Sequence, residues 1–489
     1  MSFVRKYYSV VAIAFALLAG TASAQSAFVA NDRTIASRFE NDAKGYVKLR
    51  EQVERRLPRL PKRASPEQIQ AHKAAFMTAV QNARAGASQG QIFTPEAAAL
   101  VRRVIAEQFK GRDSVELRTK VFEAENKGVP IKVNVAYPES KELLDTPPTL
   151  LLALPQLPKQ LQYRFVGNYL LLVDRENQLI VDYMGDALPP VTTPAAAGPQ
   201  QSAPVSTTTL ENSAAPAPVN RSVAVKLPSP LTLPLRDGSI RLAVFGDAGR
   251  GSREQYDLAR MLNTYHIAFP FDTVLMTGDN IYGPDGPEDM KLKFENAYRA
   301  LIDKGVKFYA SLGNHDTPNQ RFYALFNMNG EDYYRIEKGG VSFYALNSNY
   351  LDKRQLDWLR DKLTGDTNKW RIAFFHHPPF SSGGRHGSDP EVRSILPPIF
   401  AANGVDVVFT GHDHFYERIK PQDGISYFVA GAAGKIRKGD VKDRSPLTAA
   451  AFDSDLSFML VEITGDEMYF QVVARDGKTV DSGVIKRRD

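Results

Sequence analysis

The second half of the chain repeats one pattern, in which a short apolar run ends in polar residues and is followed by a helix or loop. Six such runs are predicted as strands: IRLAVFGD, DTVLMTGD, KFYASLGNHD, VSFYALNSN, KWRIAFFHH and VDVVFTGHDH. In open α/β sheets, ligands gather outside the carboxyl ends of the strands. Five of these six runs end in a side chain that can bind a metal, so a site is expected where the strand ends meet.

Other patterns predict the elements on either side of these strands. After Gly431, the alternating segment LSFMLVEITGDEMYFQVVARDGKTVDSGVIK predicts β-hairpins. Towards the N-terminus, NDRTIASRFENDAKGYVKLREQVERRL has a helical apolar period, Ser65-Pro66-Glu67-Gln68 predicts a capping box, and Thr94-Pro95-Glu96 predicts a third helix. The run PIKVNVAYP is predicted as a strand, and YRFVGNYLLLVDRENQLIVDYM as a hairpin with its turn near Glu176 and Asn177.

Composition divides the chain into four parts. Residues 189–234 are rich in Pro, Ala, Ser and Thr and lack the apolar surface to build a core, which indicates a semi-extended linker. The linker separates a smaller α+β N-terminal domain of unknown role, residues 25–188, from a second domain, residues 235–489. Residues 1–24 precede both domains and are typical of a secretory signal peptide.

The signal-peptide prediction depends on three features in order. Arg5 and Lys6 precede an apolar stretch from Val10 to Leu18, and Ala22-Ser23-Ala24 follows as a small-residue cleavage site. The stretch is short for a membrane span, although a retained anchor is the alternative. No later run approaches 18 apolar residues, so we expect a mature protein without a transmembrane segment, exported to a bacterial periplasm or medium.

Composition also limits the chemistry. The chain of 489 residues has no cysteine, which excludes disulfides, thiolate metal sites and cysteine nucleophiles. A net charge of +6 suits anionic substrates or surfaces. We find no Lys/Arg block and no zinc-finger spacing, so no nucleic acid is expected as a dedicated partner. Any metal must be bound by His, Asp, Glu, Asn or Tyr.

The strand ends carry such residues at an unusual density. Six of the eight histidines lie between positions 315 and 414, nearly all directly after apolar runs. Carboxylates, imidazoles and a phenol are mixed oxygen and nitrogen ligands that suit iron, zinc or manganese. The set exceeds the needs of one tetrahedral ion, and two ions that share a bridging carboxylate would use all of it. Its members are Asp247, Asp279, Tyr282, Asn314, His315, His376, His377, His412 and His414.

These blocks, FGDAGR, TGDNIYG, GNHDT, FFHHPPF and TGHDHFYER, resemble the calcineurin-like metallophosphoesterase superfamily and, within it, the purple acid phosphatase family. The resemblance covers about residues 240–430. Many superfamily members begin with Asp-x-His, whose histidine binds the first metal. Here Asp247-Ala248-Gly249 places a glycine at that position. In purple acid phosphatases a tyrosinate three residues after the bridging aspartate fills the vacancy, and Tyr282 stands at that place.

The resemblance implies a cofactor of two metal ions, Fe(III) plus a divalent Fe, Zn or Mn ion. It implies that Asp279 bridges both ions, and that His376 rather than His377 is a ligand because it lies two residues before Pro378. The implied ligands of the first ion are Asp247, Asp279, Tyr282 and His414. The implied ligands of the second ion are Asp279, Asn314, His376 and His412.

Four further residues receive roles beside the metals. The resemblance implies that His315 points at the substrate phosphate. His386, in the loop SSGGRHGSD, is expected to protonate the leaving alkoxide, with His377 as the rival acid and as a residue that lines the site. Arg385 could contact a phosphate oxygen, and a surface arginine is the alternative.

The resemblance implies a binuclear phosphatase that hydrolyses phosphate monoesters of small substrates through a metal-bound hydroxide, and residues 1–24 predict that it is exported. A phosphodiesterase or nucleotidase with the same site is the first alternative, and an N-terminal envelope-binding module that carries a phosphatase domain is the second. The implied fold is two packed mixed β-sheets flanked by helices, in four αββα layers, after the smaller α+β domain. The physiological substrate, the second metal and the oligomeric state stay open.

Overall fold

The computed structural model describes five stretches of the chain, namely residues 30–110, 131–138, 146–189, 227–442 and 445–488. The predicted signal peptide and most of the predicted linker lie outside these residues, so both stay predictions. We refer to the described residues before the linker as the N-terminal unit, and to those after it as the C-terminal unit.

The N-terminal unit combines helices with a small antiparallel sheet. Its sheet has the order β1-β2-β3, and every pairing in it is antiparallel. No helix in the described part of the chain is both long and apolar enough to cross a membrane. The elements are α1 (Ala30–Glu54), α2 (Pro66–Ala83), α3 (Pro95–Gln108), α4 (Pro148–Ala153), β1 (Leu161–Val166), β2 (Tyr169–Asp174) and β3 (Ile180–Met184).

The predicted helix starts are confirmed. The hydroxyl of Ser65 accepts from the backbone N–H of Gln68, and the Gln68 side chain accepts from the backbone N–H of Ser65, which completes the capping box. Thr94 caps α3 in the same position, with its hydroxyl accepting from the backbone N–H of Ala97. Both starts were visible in the sequence because a cap is a local interaction that four adjacent residues determine.

Two strand predictions for this unit were wrong in part. Over PIKVNVAYP, the described residues form no strand, and only Ala136 makes a bridge, with Leu179. The reason is Asn134, whose φ of 66° turns the chain out of an extended path. The predicted turn near Glu176 and Asn177 is confirmed, but a second turn at residues 167–168 makes three strands rather than one hairpin.

The C-terminal unit contains two mixed sheets, as the resemblance implied. One has seven strands in the order β13-β11-β12-β10-β9-β8-β7, and the other has six in the order β16-β15-β14-β4-β5-β6. Strands β4, β5 and β6 pair in parallel, and so do β8, β9, β10 and β12. The strands are β4 (Ile240–Phe245), β5 (Thr273–Met276), β6 (Lys307–Ala310), β7 (Tyr334–Lys338), β8 (Val341–Ala345), β9 (Trp370–Phe374), β10 (Val407–Thr410), β11 (Tyr416–Ile419), β12 (Ser426–Ala430), β13 (Thr448–Phe452), β14 (Ser457–Thr464), β15 (Glu467–Ala474) and β16 (Thr479–Lys486).

The helices of this unit cover the outer faces of the two sheets. Inward-facing residues of both sheets, such as Val244 and Phe409, belong to one apolar core, which also contains Leu258 and Tyr298 from the helices behind the six-stranded sheet. Leu356 and Leu396 pack on the outer face of the seven-stranded sheet in a separate core. The helices are α5 (Arg253–Ala268), α6 (Pro287–Met290), α7 (Asn296–Ile302), α8 (Lys353–Thr364) and α9 (Pro390–Ala402).

Specific polar contacts join the two units. Arg175 forms an ion pair with Asp332 across the boundary, with 2.8 Å between Nη1 and Oδ2 and both side chains largely buried. Ala64 pairs with Tyr323 as an isolated parallel bridge, and the backbone N–H of Tyr163 donates to the Tyr350 hydroxyl at 3.3 Å. The N-terminal unit is therefore fitted to the C-terminal unit by buried polar groups rather than by surface contacts alone.

Candidate metal centre

The candidate residues lie on turns that follow the parallel strands of both sheets. Asp247 follows β4, Asp279 follows β5, and Asn314 follows β6, while the histidines follow β9 and β10. Asp247, Asp279 and His412 have left-handed backbone conformations, with φ values of 58°, 51° and 69°. Such a conformation costs energy for a residue with a side chain, and it is found at sites where surrounding contacts enforce it.

One group of side chains surrounds the hydroxyl of Tyr282. That hydroxyl donates to Asp247 Oδ1 at 3.1 Å and lies 3.2 Å from His414 Nε2. His414 Nε2 is itself 3.4 Å from Asp247 Oδ1. A phenol oxygen, a carboxylate oxygen and an imidazole nitrogen thus converge from three different loops.

A second group surrounds the side-chain oxygen of Asn314. His376 Nε2 lies 2.9 Å and His412 Nδ1 lies 3.2 Å from that oxygen, and the two nitrogens are 3.1 Å apart. Asp279 Oδ1 lies 3.4 Å from His376 Nε2. Asp247, Asp279 and His376 also offer ligand atoms within 4.8 Å of one another, which makes the two groups neighbours.

The hydrogen bonds of His376 test whether this second group suits a cation. Its Nδ1 lies 3.0 Å from the carbonyl oxygen of Thr277, and a carbonyl only accepts, so Nδ1 carries the proton. In the neutral ring, Nε2 then presents a lone pair towards the oxygens of Asn314 and Asp279, which also present lone pairs. A backbone carbonyl that orients the ring in this way is typical of a metal-binding histidine. The donor set therefore fits a cation.

Burial dominates the protonation of these groups in the metal-free chain. It raises the pKa of the Tyr282 phenol well above its usual value, with Asp247 and Asp279 adding to the effect. It lowers the pKa of His412, and it lowers the pKa of His414 to about 2, in both cases with help from nearby positive groups. Desolvation disfavours every charged form, whereas a bound cation favours the anionic phenolate and the neutral imidazoles that metal binding requires.

Gly249 explains why no histidine stands at that position. A Cβ at Gly249 would lie 1.9 Å from the carbonyl oxygen of Asn280, so no side chain fits between the two loops. The close approach lets the carbonyl oxygen of Gly249 accept from the backbone N–H of Tyr282 at 2.9 Å. The glycine therefore brings the tyrosine-bearing turn against the turn that carries Asp247.

The structure brings the remaining predicted site residues to the same region. The ring of His315 is tilted by 50° against that of Tyr282, with 4.8 Å between the ring centroids, and its side chain is 35% exposed, so it lies beside the ligands and reaches solvent. His386 lies at the exposed rim, with its ring centroid 4.3 Å from that of His412. His377 is buried, and its Nδ1 lies 2.9 Å from the Ser348 hydroxyl.

Arg385 lies close enough to His386 to affect the pKa of that histidine. Loss of water around the His386 ring, followed by the charges of Arg437 and Arg385, lowers the pKa of His386 to about 3. Arg385 is exposed and shares the rim with His386. The predicted residue Arg385 therefore lies near His386 at the edge of the site.

Sequence reasoning missed two carboxylates that hold the loops in place. Asp316 accepts from the backbone N–H groups of Gly313, Asn280 and Ile281 at 2.8–3.0 Å, which joins the turns after β5 and β6. Asp413 accepts from the Ser381 hydroxyl at 2.5 Å and from the backbone N–H of Gly387 at 3.2 Å, which fixes the loop that carries His386. The sequence feature that could have identified these two carboxylates is their position inside the motifs GNHD and GHDH.

Sequence reasoning also missed two cations, Lys435 and Arg437, from the loop after β12. Lys435 Nζ lies 4.9 Å from the ring centroid of Tyr282. The backbone N–H of Arg437 donates to the carbonyl oxygen of His414 at 3.0 Å. Nothing in their local sequence signals this position, because it depends on how the chain returns to the site after β12.

A family model matches the C-terminal unit. Residues 240–416 match the family model described as calcineurin-like phosphoesterase. A purple acid phosphatase from yellow lupin (Lupinus luteus) seeds superposes with a TM-score of 0.45 at 17% identity, over 51% of this chain and 54% of that one. The two packed mixed sheets, their flanking helices and the family match define the C-terminal unit as a calcineurin-like phosphoesterase.

Proteins related to this chain by sequence place it in a narrower family within this class. Purple acid phosphatase 3 of Arabidopsis thaliana is 30% identical over 275 residues, which are 47% of this chain and 74% of the relative. Tartrate-resistant acid phosphatase type 5 of Homo sapiens is 25% identical over 317 residues, 54% of this chain and 96% of the relative. The chain belongs to the purple acid phosphatase family, and it is a hydrolase of the phosphatase type.

Proposed function

We propose that the protein is an exported, binuclear metal-dependent phosphatase that hydrolyses phosphate monoesters. The observation that carries the proposal is the pair of neighbouring donor groups, one around the Tyr282 hydroxyl and the other around Asn314 Oδ1. Each group mixes oxygen and nitrogen donors from several loops, which suits iron, zinc or manganese.

The ligand assignment follows the two groups. Fe(III) would be held by Asp247, Tyr282 and His414, and the divalent ion by Asn314, His376 and His412, with Asp279 between them. When bound, the two cations supply Lewis acidity towards the phosphate oxygens and an activated water as nucleophile. The protein contributes the fixed geometry, because hydrogen bonds to Asp316 and Asp413 hold the ligand-bearing turns before any substrate arrives.

We assign substrate orientation to His315. Its backbone N–H donates to Asp279 Oδ1 at 3.0 Å, and its ring packs at a tilt against Tyr282, so the side chain is held beside the ligands with access to solvent. From this position the imidazole can donate to a phosphate oxygen as negative charge develops on it. His315 therefore acts on the phosphate rather than on the metals.

We assign protonation of the leaving alkoxide to His386 rather than to His377. His377 is buried, and its ring nitrogen is engaged by Ser348 at 2.9 Å, whereas His386 is exposed at the rim. A general acid must reach the leaving oxygen, and the rim is where a leaving group departs. Loss of water around the ring, and then the charges of Arg437 and Arg385, lower the pKa of His386, and a bound phosphate anion would offset the two charges.

A phosphodiesterase or nucleotidase activity at the same site is the second candidate. The exposure of His315 and His386 supports this second candidate, because an open rim can admit a phosphate that carries two organic groups. A diester carries one negative charge fewer than a monoester dianion, so the positive charges of Lys435 and Arg437 beside the site favour the monoester.

Export and the role of the N-terminal unit are separate proposals. Export is proposed from residues 1–24 alone, and N-terminal sequencing of the mature protein tests it. An envelope contact of the N-terminal unit would require that unit to act as a distinct module. The buried ion pair between Arg175 and Asp332 favours a structural role in the phosphatase instead.

The test is an assay of the protein purified with its metals, using a chromogenic phosphate monoester and the matching diester, alongside elemental analysis. We expect iron plus one divalent metal and faster turnover of the monoester. A folded protein with both metals and no hydrolysis of either ester would overturn the proposal. Faster turnover of the diester would favour the second candidate.

A further inference from the structure

Three cations surround the Tyr282 side of the candidate metal centre, and none belongs to the ligand set. Lys435 Nζ lies 4.9 Å and Arg250 Cζ lies 5.8 Å from the centroid of the Tyr282 ring. Arg437 follows two residues after Lys435, where its backbone bonds to His414. We call Arg250, Lys435 and Arg437 the cationic rim.

The backbone of the rim is held rigidly against the metal-binding turns. A Cβ at Gly434 would lie 2.1 Å from the carbonyl oxygen of Ala248, so the glycine allows the two loops to touch. The backbone N–H of Ala433 donates to the carbonyl oxygen of Gly246 at 3.1 Å. Lys435 and Arg437 are thereby anchored beside Asp247 rather than left on a free loop.

The charges of the rim are only partly balanced within the described residues, where Asp440 and Asp413 act on Arg437 and the Tyr282 ring contacts Lys435. None of Arg250, Lys435 and Arg437 forms an ion pair there, and Arg437 Nη1 is buried without a hydrogen-bond acceptor. Lys435 Nζ and Arg250 Cζ lie 4.9 Å and 5.8 Å from the same ring centroid, that of Tyr282, so these two positive groups are held close together. Like charges that are held together repel, and an anion bound between them removes the repulsion.

We propose that Arg250, Lys435 and Arg437 bind a second phosphate group of the substrate while the first phosphate occupies the metal centre. This inference rests on the proposed function, because it names the substrate class of the same site. Guanidinium groups pair with phosphate oxygens through two parallel hydrogen bonds, and the lysine adds a point charge. The preferred substrates therefore carry two phosphates joined by a bridging oxygen or by a short carbon chain.

The chemistry is the same for both kinds of substrate. A water oxygen forms a bond to the phosphorus in the metal centre, and the bond from that phosphorus to its leaving oxygen breaks. The leaving oxygen keeps the electron pair of the broken bond. The leaving group is orthophosphate when the substrate is a diphosphate, and an alcohol that carries the second phosphate when it is a bisphosphate. The protons of the attacking water are transferred to the two products. The rim retains the second phosphate in both cases.

The experiment compares kcat/KM of the metal-loaded enzyme for ethanediol bisphosphate, inorganic diphosphate and ethanediol monophosphate at constant ionic strength. The monophosphate is the matched control, because it has the same scissile ester without the second phosphate. We expect a preference for at least one of the two-phosphate substrates, and the one preferred identifies the bridge as carbon or oxygen. In Lys435→Met and in Arg250→Met that preference should fall about tenfold, the effect of losing a hydrogen bond to a charged group.

Arg250 is exposed, so its replacement leaves folding intact even if Lys435→Met destabilises the loop. Lys438→Met removes an exposed charge of the same loop outside the rim and should retain the preference. Equal turnover of one-phosphate and two-phosphate substrates by the wild type would overturn the second-phosphate inference and leave the phosphatase proposal standing. Absence of any hydrolysis, the monophosphate included, would instead overturn the proposed function.

Discussion

The backbone N–H of Tyr282 donates to the carbonyl oxygen of Gly249, with 2.9 Å between nitrogen and oxygen. The tyrosine hydroxyl reaches Asp247 Oδ1, two residues before Gly249, at 3.1 Å. One residue thus contacts the same turn through its backbone and through its side chain. The missing histidine and the added tyrosine have a common physical cause, because the space that a side chain at position 249 would need is occupied by the loop that carries Tyr282.

This relationship predicts the effect of a single methyl group. In Gly249→Ala, the new Cβ would lie 1.9 Å from the carbonyl oxygen of Asn280, and neither backbone can yield without moving Tyr282. We expect a loss of phosphatase activity of at least about a hundredfold, since a displacement of about 1 Å has that effect on a positioned catalytic group. Gly86→Ala is the control, because a Cβ there meets open space and its backbone does not have a positive φ. Full activity of Gly249→Ala would contradict the proposed geometry.

Tyr282→Phe removes the proposed phenolate ligand and keeps the ring. We expect the visible tyrosinate–iron absorption of the metal-loaded protein to disappear, because it requires an iron–phenolate bond. Tyr256→Phe is the matched control, since that hydroxyl donates to the carbonyl oxygen of Leu292. Absorption spectra of both variants at equal iron content make the comparison. A band that persists in Tyr282→Phe would exclude this tyrosine as the iron ligand.

The two candidate acids differ in how they should respond to the leaving group. An acid that protonates the departing oxygen matters most for alkyl phosphates, whose alkoxides leave poorly, and least for nitrophenyl phosphate. We expect His386→Asn to lower kcat for an alkyl phosphate about a hundredfold, and for nitrophenyl phosphate far less. His377→Asn should lower both rates by a similar factor, because its ring is buried against Ser348. The reverse pattern would assign the acid to His377.

Local interactions explain which parts of the molecule the sequence could predict. The caps of α2 and α3 and the runs that end at Asp247 and Asp279 follow from neighbouring residues, whereas the class of fold was implied by the family resemblance. The strand predicted over PIKVNVAYP was wrong because Asn134 adopts a left-handed conformation, which alternation of residue types does not reveal.

In the candidate site, too, the sequence predicted the residues of local motifs and missed residues that only the folded chain brings together. The five motif blocks nominate side chains that lie within a few ångströms of one another, although the roles of these side chains stay predictions. Lys435 and Arg437 belong to no motif. They reach the site only because β12 pairs in parallel with β10 and thereby returns its loop to the turn that carries His414.

The proposed centre also predicts how metal removal affects stability. Cations that bind only the folded chain stabilise it, and without them burial holds several ligands in unfavourable ionisation states. We expect a chelator to lower the midpoint of thermal unfolding and to abolish hydrolysis, with both restored by iron plus a divalent metal. His412→Ala should reproduce the loss of metal, as measured by elemental analysis. His266→Ala is the control, because that ring lies on α5, outside the motif blocks, and contacts the carbonyl oxygen of Phe271. An unchanged metal content in His412→Ala would remove this residue from the ligand set.

The contact between the two units predicts that they unfold together. Arg175 and Asp332 are 11% and 15% exposed, and removing one partner of such a pair leaves a poorly hydrated charge at a cost of about 3 kcal/mol. We expect the metal-loaded protein to show one calorimetric transition, and Arg175→Met to lower its midpoint by a few degrees. Arg103→Met is the control, because its pair with Asp32 is 58% exposed on the arginine side, and surface pairs contribute less than about 1 kcal/mol. Two transitions, with the one for the C-terminal unit unaffected by Arg175→Met, would instead support a separate N-terminal module that carries the phosphatase.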